Sequence, residues 1–181
     1  MKNPVRITIS LNEETFDLFE ELKEEMKLSQ SELVRRALGF YHENRSIIGS
    51  NKNIDTYMDM LPSGEHIILD LDHWLLLLKL IQSSPEKDKF WKDCKTVADS
   101  HAEELSNKIR TPKALLERLE TCNFFKLIER SPNEFTLLLS ADSTKEWVKR
   151  LVQDFSASMG FNVEIKEDIS KLRVKVGGGV T

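Results

Sequence analysis

The chain has 181 residues, of which 40% are apolar and 31% are charged, and its formal net charge is −4. This composition is typical of a globular protein and excludes a disordered chain, and the length accommodates two small domains or one larger one. The absence of a secretory signal at the N-terminus, of an apolar run near the ~20 residues of a membrane span, and of more than two cysteines predicts a cytoplasmic protein without a disulfide framework.

The first predicted element is a strand over residues 5–11, where apolar and polar side chains alternate. Its polar side presents Arg6, Thr8 and Ser10. One strand beside two helices cannot pair its backbone or bury its apolar side, so we expect it to pair with the same strand of a second chain. The resulting ribbon would present the three polar side chains twice, at about the width of a DNA major groove.

Two amphipathic helices are predicted next. Asn12 is a suitable N-cap for the first helix, whose outer face is almost wholly acidic and should point away from phosphate. The second helix starts with the capping box Ser29-x-x-Glu32. The free backbone N–H groups of Ser29, Gln30 and Ser31 at this helix N-terminus are suited to clamp a phosphate.

The joined pattern over about residues 4–44 resembles the ribbon-helix-helix superfamily of MetJ/Arc/CopG-type repressors. The stretches 7–14 and 29–38 carry the resemblance, and Lys27 stands where the family often has glycine. A left-handed conformation at Lys27 would cost about 1 kcal/mol. The resemblance implies a dimer that inserts its ribbon into the major groove of double-stranded DNA. The implied base-reading and phosphate-contacting residues are Arg6, Thr8 and Ser10, and Lys2, Lys27, Ser29, Gln30 and Ser31, respectively.

The charge of this region limits how it binds DNA. Residues 1–46 hold seven Lys and Arg against nine Asp and Glu, so the positive charge that faces DNA must be local and assembled by dimerisation. We therefore expect a shallow dependence of binding on salt. Arg35 and Arg36 have two interpretations that stay open here, as DNA ligands or as ion-pair partners of the acidic first helix.

The chain is predicted to divide into a DNA-binding domain over 1–46, a linker over 47–64, an α+β domain over 65–176 and a flexible tail over 177–181. Gly, Ser, Asn and Pro punctuate the linker, but its apolar residues indicate that part of it docks on a surface.

The larger domain begins with a predicted strand over 66–71 and a helix, capped by Asp70 or Asp72, that continues to about Ile81. That helix is apolar nearly all round, which indicates a buried or subunit-interface element. A long helix follows Pro85, and its predicted inward stripe is Phe90, Cys94, Val97, His101, Leu105 and Ile109.

The rest of the domain is predicted as helix, hairpin, helix, hairpin. Thr111-Pro112 starts a helix, and residues 124–130 and 134–140 form a hairpin. A second capping box, Ser143-x-x-Glu146, opens the last helix, which Gly160 ends before two alternating strands. The fold class is therefore α+β.

This element order over about residues 74–176 resembles 4-vinyl-reductase-type sensory domains, which dimerise through helices and hold apolar pockets. The glycines and cysteines characteristic of that family are absent near the last helix and hairpin. A winged-helix-like arrangement of residues 111–139, a helix followed by a hairpin, is the alternative.

Catalytic and metal chemistry find no support in the sequence. His66, His73, Cys94 and His101 are the available soft ligands, but their spacing does not match the clustered pattern of nickel-responsive repressors. Asp70 and Asp72 beside His73 fit a helix cap better than a carboxylate–histidine site. No phosphate-binding glycine loop, nucleophile elbow or His-Glu-x-x-His helix occurs, so no cofactor, metal or enzymatic activity is predicted.

The sequence therefore predicts a dimeric or tetrameric DNA-binding transcriptional regulator, with a C-terminal domain that oligomerises and can take up a small apolar effector. Two other interpretations stay open. The first is an antitoxin that represses its own synthesis and neutralises a partner protein. The second is a small-molecule-binding protein whose N-terminal module serves mainly for assembly.

Overall fold

The computed structural model describes residues 5–50, 54–62, 64 and 66–177, without the side chains of residues 47–50. Two compact units make up the chain, Met1–Lys52 and Asn53–Thr181. Helices and one antiparallel sheet account for the regular structure, which confirms the α+β class.

The N-terminal unit contains an irregular segment over residues 5–12, helix α1 (Glu13–Met26) and helix α2 (Gln30–Ser50). Asn12 caps α1 as predicted, because its Oδ1 accepts a hydrogen bond of 2.9 Å from the Thr15 N–H. Lys27 ends α1 in the left-handed conformation, with φ 52°. Its N–H donates to the Glu24 carbonyl and the Leu28 N–H donates to the Lys23 carbonyl, which is the Schellman arrangement usually built on glycine.

The predicted linker is largely helical. Helix α2 continues to Ser50, and a short helix, α3 (Ile54–Met60), follows it. Met60 is buried and α3 contacts α6, so part of this segment does dock on a surface, as its apolar residues indicated.

The C-terminal unit continues with helices α4 (Leu71–Ser83), α5 (Lys87–Leu105) and α6 (Pro112–Thr121), then the hairpin β1 (Phe125–Ser131) and β2 (Glu134–Leu139). Helix α7 (Lys145–Ser158) and a second hairpin, β3 (Val163–Asp168) and β4 (Lys171–Val176), complete it. The strands form one antiparallel sheet in the order β1-β2-β4-β3. The two hairpins therefore join through β2 and β4, and β1 and β3 are the edges.

One face of the sheet packs against α6 and α7, and α5 packs on α7. Leu137 and Leu172 are paired across β2 and β4 and have no exposed surface, and Val148 and Val152 of α7 are equally buried. The opposite face carries mostly charged side chains, including Lys171, Arg173 and Lys175. This one-sided burial explains the alternation that the sequence shows in these strands.

Three local predictions for this unit were wrong. Residues 66–70 form no strand, and Ile67 and Ile68 are exposed; among the described residues, no strand of the sheet pairs with this run. Of the two predicted caps of α4, Asp70 is the one that forms, accepting from the Asp72 N–H at 3.0 Å. The capping box at Ser143 does not form, because a 3₁₀ turn over Asp142–Thr144 precedes α7.

The third error concerns the buried stripe of α5. Trp91, Ala98 and Ala102 are the buried residues of this helix, whereas Val97 and His101 are exposed. Alanine has a small side chain, so the two alanines let α5 approach α7 closely. The predicted stripe was right at its C-terminal end, where Leu105 packs against the core and Ile109 is buried. It was wrong at Val97 and His101, where the prediction followed the larger side chains onto the neighbouring face.

Candidate nucleic-acid interface

The two sides of segment 5–11 have different surroundings. A cavity of about 670 Å³ within the N-terminal unit is lined by the four apolar residues of the segment and by apolar residues of both helices, namely Val5, Ile7, Ile9, Leu11, Phe16, Phe19, Val34 and Leu38. Arg6, Thr8 and Ser10 are exposed and do not line it. The predicted partition into an apolar inward side and a polar outward side is therefore present in the single chain.

This apolar side remains largely uncovered. The exposed fraction falls along the segment from 88% at Val5 to 39% at Leu11. Within the described part of the N-terminal unit, Leu33 alone is buried, and no backbone hydrogen bond between described residues involves residues 5–11. A backbone of this kind needs a partner for both its polar groups and its apolar side chains.

The start of α2 offers unpaired backbone donors beside this segment. The Ser29 carbonyl accepts from the Glu32 and Leu33 N–H groups, and its Oγ accepts from the Glu32 N–H at 3.3 Å. In the described residues, no acceptor is found for the N–H groups of Ser29, Gln30 and Ser31. Gln30 and Ser31 line the same cavity as the apolar side of segment 5–11. Free N–H groups at the positive end of a helix can bind an anion.

The remaining predicted phosphate contacts are two lysines. Lys27 is exposed in the left-handed turn between α1 and α2, and its position immediately before the α2 N-terminus puts a cation close to the free amides. Lys2 lies outside the described residues.

Arg35 and Arg36 both pair with Glu32 of their own helix. The Glu32 carboxylate is 2.7 Å from Arg35 Nη2 and 3.4 Å from Arg36 Nε. Hydrogen bonds from Arg35 first and then Arg36 lower the pKa of Glu32. In the single chain, Arg35 and Arg36 therefore pair with their own helix and not with the acidic first helix, which was one of the two predicted roles. Glu32 is engaged with the two arginines, so only the Ser29 half of the capping box forms.

The outer face of α1 is acidic, as the sequence indicated. Its exposed carboxylates are Glu13, Glu14, Asp17, Glu21, Glu24 and Glu25. Lys23 is paired with Glu20 and compensates little of this charge. Such a face repels phosphate and has to point away from a bound nucleic acid.

The candidate soft ligands do not come together. His73 lies 3.5 Å from Asp70, whereas His101 lies 3.3 Å from Glu104 and stacks on Phe155. Over the described residues, no group of three or more His, Cys, Asp or Glu side chains could hold a metal ion. None of the helices, as far as they are described, is long and apolar enough to cross a membrane.

A second cavity, in the C-terminal unit, escaped prediction. Its walls come from α3, residues 66–69, α4, the end of α6 and α7. The chain brings these segments together only through the tertiary fold, so sequence spacing carries no signal for the cavity. The tryptophans Trp74 and Trp147 were the available clue, because buried indoles often line pockets.

Comparison with known families gives one match, the model for ribbon-helix-helix proteins of the copG family, over residues 5–45. The resemblance of the C-terminal region to 4-vinyl-reductase-type domains is not supported. A search of curated proteins gave no match. Proteins of the matched family are typically DNA-binding transcription regulators or antitoxins, and the family fold is non-enzymatic. The chain therefore has an N-terminal region that matches the copG-type ribbon-helix-helix model, followed by a larger domain of helices and one antiparallel sheet.

Proposed function

We propose that the protein is a dimeric, sequence-specific transcriptional regulator that inserts a two-stranded ribbon, one strand from each chain, into the DNA major groove. The observation that carries the proposal is the partition of segment 5–11: its apolar side chains line the cavity shared with both helices, whereas Arg6, Thr8 and Ser10 do not line it and are exposed. Pairing with a second copy would satisfy the free backbone and cover the apolar side in a single step.

Direct readout is assigned to the outward side chains. Arg6 is suited to a bidentate contact with guanine, and Thr8 and Ser10 are suited to single hydrogen bonds with base edges. Each good contact contributes roughly 1–3 kcal/mol of discrimination between bases. The twofold symmetry of the ribbon supports a palindromic operator with two half-sites.

Contacts to the DNA backbone are assigned to Lys27 and to the amides of Ser29, Gln30 and Ser31, with Lys2 adding positive charge from the N-terminus. Residues 1–46 have two more acidic than basic side chains, so few counterions are released on binding. We therefore expect log K to fall only gently with log salt concentration.

The C-terminal domain is assigned a role in assembly and in effector binding. Leu76 and Leu80 stand one turn apart on α4 and are both mostly exposed, at 64% and 67%. A ribbon dimer holds two such faces at high effective concentration, so the occupant we propose for this face is a second copy of the chain, giving dimers or tetramers in the cytoplasm.

Selection of bound sequences from a pool of random double-stranded DNA tests the function. We expect enrichment of a palindrome by the full-length protein and loss of that enrichment in Arg6→Ala/Thr8→Ala. The matched control is Glu21→Ala/Glu24→Ala, which alters exposed α1 residues and should leave the selected sequence unchanged. Retained specificity in the first variant would disprove the readout assignment, and no enrichment by the native protein would favour a purely small-molecule-binding or antitoxin role.

A further inference from the structure

The C-terminal unit contains a partly open cavity of about 670 Å³. This volume is within the roughly 300–1,000 Å³ typical of small-molecule sites. Apolar and aromatic side chains dominate its wall, including Met60, Leu71, Trp74, Phe124, Trp147 and Val148. No Asp, Glu, Lys or Arg lines it among the described residues, so the site offers nothing to neutralise a charged ligand.

Aromatic rings form one side of this cavity. Trp147 meets Trp74 edge-on with ring centroids 4.9 Å apart, and Phe124 lies 6.4 Å from Trp147. Trp91 supports Trp147 from a distance of 5.7 Å. The three tryptophans of the chain all belong to this cluster, which gives a planar ring a rigid surface to pack on.

Two lining residues have a buried polar atom without a partner. His66 Nδ1 and Trp147 Nε1 have no hydrogen-bond partner within the described part of the protein. Both atoms are closed off from solvent, so they lie behind the cavity surface. A molecule in the cavity therefore meets mainly apolar and aromatic wall.

We propose that this cavity binds an uncharged, mostly apolar small molecule that carries a planar ring, which packs against Trp74, Phe124 and Trp147. The proposal gives a chemical class to the effector and rests on the proposed function only for its regulatory role; binding itself needs no DNA. The exposed leucines Leu76 and Leu80 of α4 do not line the cavity, so its occupant is distinct from a second chain docked on that face.

The test is a titration of the full-length protein, without DNA, with two uncharged fluorescent probes. Prodan is a planar naphthalene with a carbonyl acceptor, and N-phenyl-1-naphthylamine lacks that carbonyl. We expect both to bind with one site per chain and to quench tryptophan emission by energy transfer. Trp147→Phe keeps an aromatic ring in the wall, so it should leave the affinity for both probes within about threefold of the native value.

Two filling substitutions from different parts of the wall, Leu71→Phe and Cys122→Phe, should each weaken both probes at least about tenfold, because they occupy the space. Circular dichroism checks that each variant folds. If only one of the two filling variants folds, that variant alone is enough for the test. Lys79→Ala, an exposed position of α4 outside the cavity, is the matched control and should bind like the native protein. Unchanged binding in the folded filling variants, or loss of binding in Lys79→Ala, would overturn the proposal. DNA selection is a separate measurement, so failure of the proposed DNA binding would leave this result intact.

Discussion

The two units of this chain satisfy their apolar side chains in different ways. In the C-terminal unit, residues from α5, α6, α7 and the sheet form one buried cluster around Leu137, Val148 and Leu172. In the described part of the N-terminal unit only Leu33 is buried, while Phe16, Leu38 and Tyr41 are at least half exposed. The C-terminal unit buries its core within one chain, whereas the N-terminal unit leaves most of its apolar side chains exposed in the single chain.

This difference follows from the local elements. A helix such as α2, 21 residues long, is only marginally stable in water by itself and takes most of its stability from packing. The C-terminal helices pack on a four-stranded sheet. Within the described part of their own unit, the N-terminal helices lie beside each other and beside the unpaired segment 5–11. In the proposed dimer, function and stability are therefore coupled in the N-terminal unit, because the surface that completes the fold also builds the ribbon.

The largest expected effect comes from charging the inward side of the segment. Ile9 is 55% exposed in the single chain, so Ile9→Asp would be nearly neutral if the chain acted alone. In a ribbon dimer the same change buries an unpaired carboxylate at a cost of several kcal/mol. We expect loss of the dimer and of DNA binding, measured by sedimentation and gel shift.

The matched control for this change is Thr8→Asp, next to Ile9 but on the outward side. It should keep the dimer and weaken DNA binding through repulsion of phosphate. A dimer that survived Ile9→Asp unchanged would mean that segment 5–11 does not pair between chains.

The second prediction concerns the core of the C-terminal unit. Leu137 has no exposed surface, and Leu138 on the opposite face of β2 is 38% exposed. Leu137→Ala should lower the free energy of unfolding by about 2–5 kcal/mol, and Leu138→Ala by less than about 1 kcal/mol. Urea unfolding followed by tryptophan fluorescence measures this, since all three tryptophans lie in the C-terminal unit. Equal effects of the two changes would contradict the one-sided core.

A smaller expected effect is a difference between the two units in how their stability depends on protein concentration. Tenfold dilution should lower the stability of a unit that folds with its partner by about 1.4 kcal/mol and leave an independently folding unit unchanged. We therefore expect the helical circular dichroism to lose its N-terminal contribution at lower urea as the protein is diluted, while the tryptophan transition stays in place. If both transitions moved together, the C-terminal unit would also depend on association.

The same division separates what could be predicted from sequence. The N-terminal helices depend on signals within a few residues, and the Asn12 and Ser29 caps were predicted correctly. The strand predicted over 5–11 does not form in the single chain, where this segment is irregular, because it has no strand partner there. The predicted role of Glu32 in the capping box was wrong, because its carboxylate pairs with Arg35 and Arg36 instead. Pairing of the ribbon remains a prediction, since it involves a second chain.

In the C-terminal unit the hairpins and the α6 start were predicted from local patterns, but tertiary contacts decided the rest. The order β1-β2-β4-β3 joins strands far apart in sequence, and no spacing rule specifies it. Ala98 and Ala102 are buried by helix packing. The sequence prediction missed them because it was based on the spacing of large apolar residues. The apolar run at 67–69 resembles a strand, yet Ile67 to Leu69 line the cavity instead.

The smallest expected effect concerns an ion pair between two helices of the C-terminal unit. Lys87 Nζ at the start of α5 lies 2.9 Å from Glu146 Oε2 on α7, and Arg150 lies 3.2 Å from the other carboxylate oxygen. Burial raises the pKa of Glu146, but the hydrogen bonds from Lys87 and Arg150 outweigh it, and the pKa is lowered from its ordinary value of 4.5.

A lowered pKa in the folded state means that the charged carboxylate stabilises the unit above pH 4.5 and that this contribution is lost as the pH falls further. Both side chains are about one third exposed, so solvent screening limits the gain. Glu146→Gln should therefore cost about 0.5–1 kcal/mol at pH 7, with the difference shrinking in acid. Glu164→Gln, which breaks the more exposed pair with Lys166, is the control and should change nothing measurable. If Glu146→Gln, like the control, lost no measurable stability, the contact between α5 and α7 would depend on apolar packing alone.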